Sequence, residues 1–119
     1  MSMLLALTAC ASWFGLEVIE EVPPNFPITL RGEPGQVTRT EGGHVAVDEV
    51  HESEEAARTS WAALRAESIA RGFQVTNSER RGKREVMVLE GPAGKLELQC
   101  CAQRADRKWL VLVSWFEGD

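Results

Sequence analysis

The chain has 119 residues, with 13 Lys and Arg against 18 Asp and Glu and a formal charge of −5. That length holds one core rather than two, and a composition 44% hydrophobic and 26% charged excludes a disordered chain. Three cysteines without a CxxC pair speak against a disulfide scaffold or a structural zinc site, no cofactor is indicated, and an acidic chain is a poor general binder of nucleic acid.

Charge is spread unevenly. Every charged residue lies at or after Glu17, and 12 of the first 16 residues are hydrophobic. Sixteen residues fall short of the roughly 20 needed to cross a bilayer as a helix. They suit the apolar part of an export signal, about 7–15 residues long. Within this head, Leu7-Thr8-Ala9-Cys10 resembles the lipobox of bacterial lipoproteins: an aliphatic residue, two small ones and a cysteine. Small residues let a peptidase reach the backbone, and the thiolate accepts a diacylglyceryl group. The resemblance implies cleavage before Cys10, with residues 1–9 as signal, 10–15 as a short anchor region and 16–119 as one α+β domain. It also implies the periplasmic face of the envelope, with the outer membrane favoured because Ala11 stands where Asp would mark inner-membrane retention. At about 0.8 kcal/mol per buried CH₂, the three acyl chains of such an anchor hold a protein on the membrane permanently. Read without the resemblance, residues 3–16 are an apolar strand or helix of an unanchored cytosolic protein.

Behind the head, residues 16–22 alternate as a short strand, and Pro23-Pro24-Asn25-Phe26-Pro27 breaks it. Residues 28–30 read as an edge strand before a Gly32-Glu33-Pro34-Gly35 turn. Residues 36–40 and 44–50 flank Glu41-Gly42-Gly43 as a β-hairpin. Residues 53–71 are predicted helical: Ser53 caps, Glu54 and Glu55 meet the positive end of the dipole, and Gly72 stops the helix. Ala57, Trp61, Leu64, Ser68 and Ile69 form its apolar stripe.

Four strands follow, over 73–79, 85–90, 95–103 and 109–116, and their short connections predict an antiparallel meander. The expected fold class is therefore α+β: one helix packed on a four-stranded antiparallel meander preceded by a β-hairpin, in the order β-β-α-β-β-β-β. A helix followed by four strands resembles the cystatin and nuclear-transport-factor types of curved sheet, which implies a shape and no activity.

The last strand has two apolar sides, Trp109, Val111, Val113 and Trp115 on one and Leu110, Leu112, Ser114 and Phe116 on the other. One helix covers one side, and the pattern does not say which. The N-terminal strands or sheet curvature close the other, or it is an apolar groove, with Trp109, Val111, Val113 and Trp115 as the candidate surface for a partner or small apolar ligand. Arg80-Arg81-Gly82-Lys83-Arg84 places four cations, Arg80, Arg81, Lys83 and Arg84, at a hairpin tip, where they would touch an anionic lipid, a phosphate or an acidic partner, or simply be solvated. Alternation puts Cys100 in the core and Cys101 on the exposed side, with no activating neighbour. His44 and His51 have Asp48, Glu49 and Glu52 between or beside them, but His44 and Asp48 are too far apart along an extended strand to share a metal ion, so no metal site is expected.

No nucleophile–base–orienter set is visible, so catalysis is not expected and no catalytic residue is named. The leading expectation is a small acidic binding module anchored in the cell envelope through Cys10, with an immunity-type protein as a narrower version. The alternative is a small cone-shaped enzyme using His44, Asp48 or His51 inside the curved sheet.

Overall fold

A computed structural model describes residues 16–19, 21–40 and 42–118. Cys10 and the rest of the lipobox lie outside them. The element order is β1 (Leu16–Ile19), β2 (Glu33–Thr40), β3 (His44–His51), α1 (Glu54–Ala70), β4 (Gln74–Arg81), β5 (Arg84–Gly91), β6 (Gly94–Gln103) and β7 (Trp109–Glu117). All seven strands form one antiparallel sheet in the order β1-β2-β3-β7-β6-β5-β4. The class is α+β, with a third strand ahead of the helix where the expected order has two.

The meander runs β4 to β7, and the hairpin β2–β3 joins it because β3 pairs with β7 over its whole length, from His44 opposite Phe116 to His51 opposite Trp109. Between β3 and β4 the chain crosses the sheet as α1, packed on β3, β4, β6 and β7. Ser53 caps the helix by accepting a hydrogen bond from the Ala56 amide, and Gly72, at φ +97°, turns the chain out of it.

One face of the sheet carries the core. Val45, Val47, Leu89, Leu96, Leu98, Val111, Val113 and Trp115 lie beneath Ala57 and Leu64 of α1. Trp61 donates its indole N–H to the Leu98 carbonyl at 3.2 Å. The helix turns Ala57, Ser60, Leu64 and Ser68 inward. Ile69, expected on this stripe, is 44% exposed, because it lies about 140° around the helix from Leu64.

Residues 28–30 do not form the expected edge strand. Residues 21–32 form an irregular strap over the helix side of the sheet, with Ile28 buried and Phe26 edge-on to Trp115 at 5.6 Å. The Arg71 guanidinium donates to the Pro27 carbonyl at 3.1 Å, and the Thr29 amide donates to Glu67 at 3.0 Å. Strand β2 begins at Glu33, inside the predicted turn, with a bulge between Pro34 and Val37. Pro34 is tolerated because β1 pairs only with Val37–Thr40, leaving that stretch of β2 as a free edge.

Candidate functional site

Alternation along β3 sends Val45, Val47, Glu49 and His51 to the same face, opposite Trp115, Val113, Val111 and Trp109 of β7. A carboxylate is thereby carried into the core: Glu49 is fully buried. Its Oε1 accepts the Ser60 hydroxyl of α1 and lies 2.5 Å from His51 Nε2. Its Oε2 accepts the Arg31 amide at 2.7 Å, and the Gly32 amide also bonds the carboxylate. Burial pushes the Glu49 pKa up, but the hydrogen bonds from Ser60, His51, Arg31 and Gly32 together hold it below its ordinary value. The charge therefore stays in the core, and three segments converge on it: β3, α1 and the strap.

Gly32 makes that convergence sterically feasible. A Cβ there would stand 2.7 Å from Glu49 Cγ and 2.8 Å from two His51 ring atoms. Outside the cluster lies an open cleft of about 410 Å³ lined by Arg31, His51, Ser53, Glu55, Thr59 and Ser60. The His51 side chain is 11% exposed and stands at its mouth.

Serine, histidine and glutamate meet here in an order that does not make a nucleophile. The Ser60 hydroxyl is spent on the carboxylate, and the imidazole bonds that same oxygen rather than the hydroxyl. A serine nucleophile needs its base to accept the hydroxyl proton, with the acid behind the base.

The three residues of the enzyme alternative are not brought together. His51 is on the helix face, while His44 and Asp48 point to the opposite face, beside Phe116 and Leu112. His44 stacks on Phe116 at 4.1 Å, and its Nε2 is buried without a hydrogen-bond partner. Burial lowers the His44 pKa; Glu97 opposes that shift and Lys95 adds to it. Burial raises that of Asp48, against the pull of Arg104. Among the described residues no group of three or more His, Cys, Asp or Glu is placed to hold a metal ion.

The side of β7 assigned to ligand contact is the covered one. Val111, Val113 and Trp115 are 0–3% exposed beneath α1 and the strap, and Trp109 packs against the same core. Leu110, Leu112, Ser114 and Phe116 face the other way and are only half-buried. Periodicity separates the two sides but does not tell which one a helix takes.

Cys101 is also buried, not exposed. The β6–β7 ladder slips between Cys100 and Ala102, which takes Cys101 out of the alternation.

Arg80, Arg81, Lys83 and Arg84 do sit at a hairpin tip. Arg80 pairs with Glu85 at 3.3 Å, and Arg81 pairs with Glu79 at 2.8 Å and Glu97 at 3.5 Å. Sequence reasoning set Glu49 aside as one polar residue beside the histidines and missed Ser60, Arg31 and Gly32. The available signal was phase: Glu49 follows Val45 and Val47 on the same side of β3. No family model, curated protein or solved structure matches the chain.

Proposed function

We propose that the protein is a small binding module of the bacterial cell envelope, lipid-anchored through Cys10 on the periplasmic side and without a catalytic step of its own. The observation that carries binding over catalysis is the order of hydrogen bonds around Glu49, which occupies both Ser60 and His51. The anchor reading rests on Leu7-Thr8-Ala9-Cys10. A lipid on Cys10 leaves six residues before Leu16, a reach of at most about 20 Å. The β1 end of the sheet would then face the membrane, with the β4–β5 and β6–β7 tips at the far end. The α1-to-β7 run shares the helix-then-meander layout of the cystatin and nuclear-transport-factor sheets, which supports a shape alone.

The test is metabolic labelling with a palmitate analogue in the source bacterium, from the native upstream region. Wild type is expected labelled and in the membrane fraction, and Cys10→Ser unlabelled and soluble. An unlabelled, soluble wild type overturns the anchor in favour of a cytosolic protein. A second reading, a small enzyme with His51 as base, is favoured by the place of that ring at the cleft mouth. Turnover of a small ester or phosphoester that falls in kcat at unchanged KM in His51→Gln would put it first.

A further inference from the structure

Seven of the 13 Lys and Arg lie in two five-residue loops: Arg80, Arg81, Lys83 and Arg84 in one, Arg104, Arg107 and Lys108 in the other. One of the 18 acids, Asp106, lies there too, so the two loops carry +6 and the rest of the chain −11. The fold puts both at one end of the sheet. They are the β4–β5 and β6–β7 turns, with β5 and β6 adjacent. The tips are therefore about 10 Å apart, two strand spacings. Arg80, Arg81, Arg104 and Lys108 are tied to Glu85, Glu79, Asp106 and Glu52. Among the described residues Lys83, Arg84 and Arg107 have no carboxylate within ion-pair reach.

This basic end borders a small apolar patch on the open face of the sheet. On the face away from α1, Leu110 pairs with Val50 and stands next to Leu112 along β7, Gln99 separates Leu112 from Val86 and Asp48 flanks it on β3, and the next row runs Val88, Glu97, Ser114 and Ala46. All but Val86 are half-buried rather than covered. Arg81 and Arg84 are directly paired and in phase with Glu79 and Val86, so both rim this same face. Arg104 adds to the rim, close enough to feel the charges of Asp48 and Glu33.

We propose that the uncovered sheet face and the two basic tips form one docking surface for an acidic protein segment. Its apolar side chains would lie along Val50, Leu110 and Leu112, and its carboxylates would meet Lys83, Arg84 and Arg107. The proposal rests on the binding-module reading and names its partner class. An apolar patch beside a charged rim is the anatomy of a protein interface. A phosphate-dense lipid surface would engage the tips alone and leave that patch exposed. The −11 remainder includes Asp48 and Glu97 on this face, but Arg104 acts on the first and Arg81 pairs with the second, so an acidic partner is steered to the basic end.

The test uses the full chain carrying Cys10→Ser, so that anchoring plays no part. Three probes are compared: a peptide of alternating Glu and Leu, poly-glutamate of equal charge, and phosphatidylglycerol–phosphatidylcholine vesicles. The Glu–Leu peptide is expected to bind best, and weaker at high salt. Lys83→Glu with Arg84→Glu should weaken it at least about tenfold, whereas Arg39→Glu with Arg65→Glu, an equal change in net charge, should stay within about twofold. Leu112→Ser should weaken the Glu–Leu peptide and leave poly-glutamate unchanged, with thermal melting as the check on folding. Equal losses in the two charge pairs, vesicle binding without peptide binding, or self-association abolished by the tip variant would each overturn the proposal. A chain that is labelled at Cys10 yet ignores the peptide keeps the envelope reading and loses this one.

Discussion

Strand β3 begins and ends with a histidine, and the two ends solve the same problem in opposite ways. His51 is almost buried and bonded to a carboxylate that four hydrogen bonds keep ionised. His44 lies on the other face, stacked on Phe116, with Nε2 shut away from any partner. One end spends a buried charge to join three segments, while the other hides a polar atom with nothing in return. Burial alone does not tell a structural centre from a liability; the count of partners does.

The largest expected effect comes from removing the carboxylate. Glu49→Ala strands the Ser60 hydroxyl, the His51 ring and the Arg31 and Gly32 amides inside the fold, which should cost about 3–5 kcal/mol. For a domain of this size that lowers Tm by about 12 °C or more. Because the folded pKa of Glu49 lies below its ordinary value of 4.5, the carboxylate's contribution is complete above that pH and is lost as pH falls through the folded value. Melting curves of wild type and Glu49→Ala should therefore converge in acid. A variant that melts with wild type at pH 7 would show that the cluster does not hold the strap.

Gly32→Ala comes next, at about 1–3 kcal/mol, since its methyl group would press on two buried side chains. In the Glu49→Ala background the loss should shrink, a coupling that a double-mutant cycle measures. Gly42, near the His44 end, has nothing within 4 Å of an added Cβ, so Gly42→Ala should leave Tm nearly unchanged.

Much of the fold that carries this contrast was legible in the sequence, and the contrast itself was not. Ser53, the two glutamates after it and Gly72 mark the helix, which runs Glu54–Ala70. Short polar turns mark the meander, and the ends of β6 and β7 fall where the Arg104–Lys108 connection places them. What stayed hidden depends on partners distant in the chain. Glu49 reads as a polar residue in an alternating strand until Ser60, 11 residues on, and the Arg31 amide, 18 residues back, are brought to it. Pro34 reads as a strand breaker until β1 is seen to stop short of it. Cys101 reads as exposed because period two cannot anticipate a one-residue slip in the ladder. The covered side of β7 is set by where α1 and the strap land, which no local pattern records.

The smallest effect tests the empty end of the comparison. His44→Phe keeps an aromatic ring against Phe116 and removes the unpaired nitrogen, so it should stabilise by about 0.5–1 kcal/mol. The same exchange at His51 deprives Glu49 of a partner and should destabilise. Burial holds the His44 pKa below its ordinary 6.5, so the unfolded chain takes up a proton first as pH falls. His44 in wild type should therefore lose stability between pH 6.5 and the lower folded value, a loss that His44→Phe lacks. The gap between the two proteins should widen as pH drops through that window, read by urea midpoints at fixed slope. If His44→Phe melts lower at every pH, Nε2 is satisfied by bound water, and the two ends of β3 are alike.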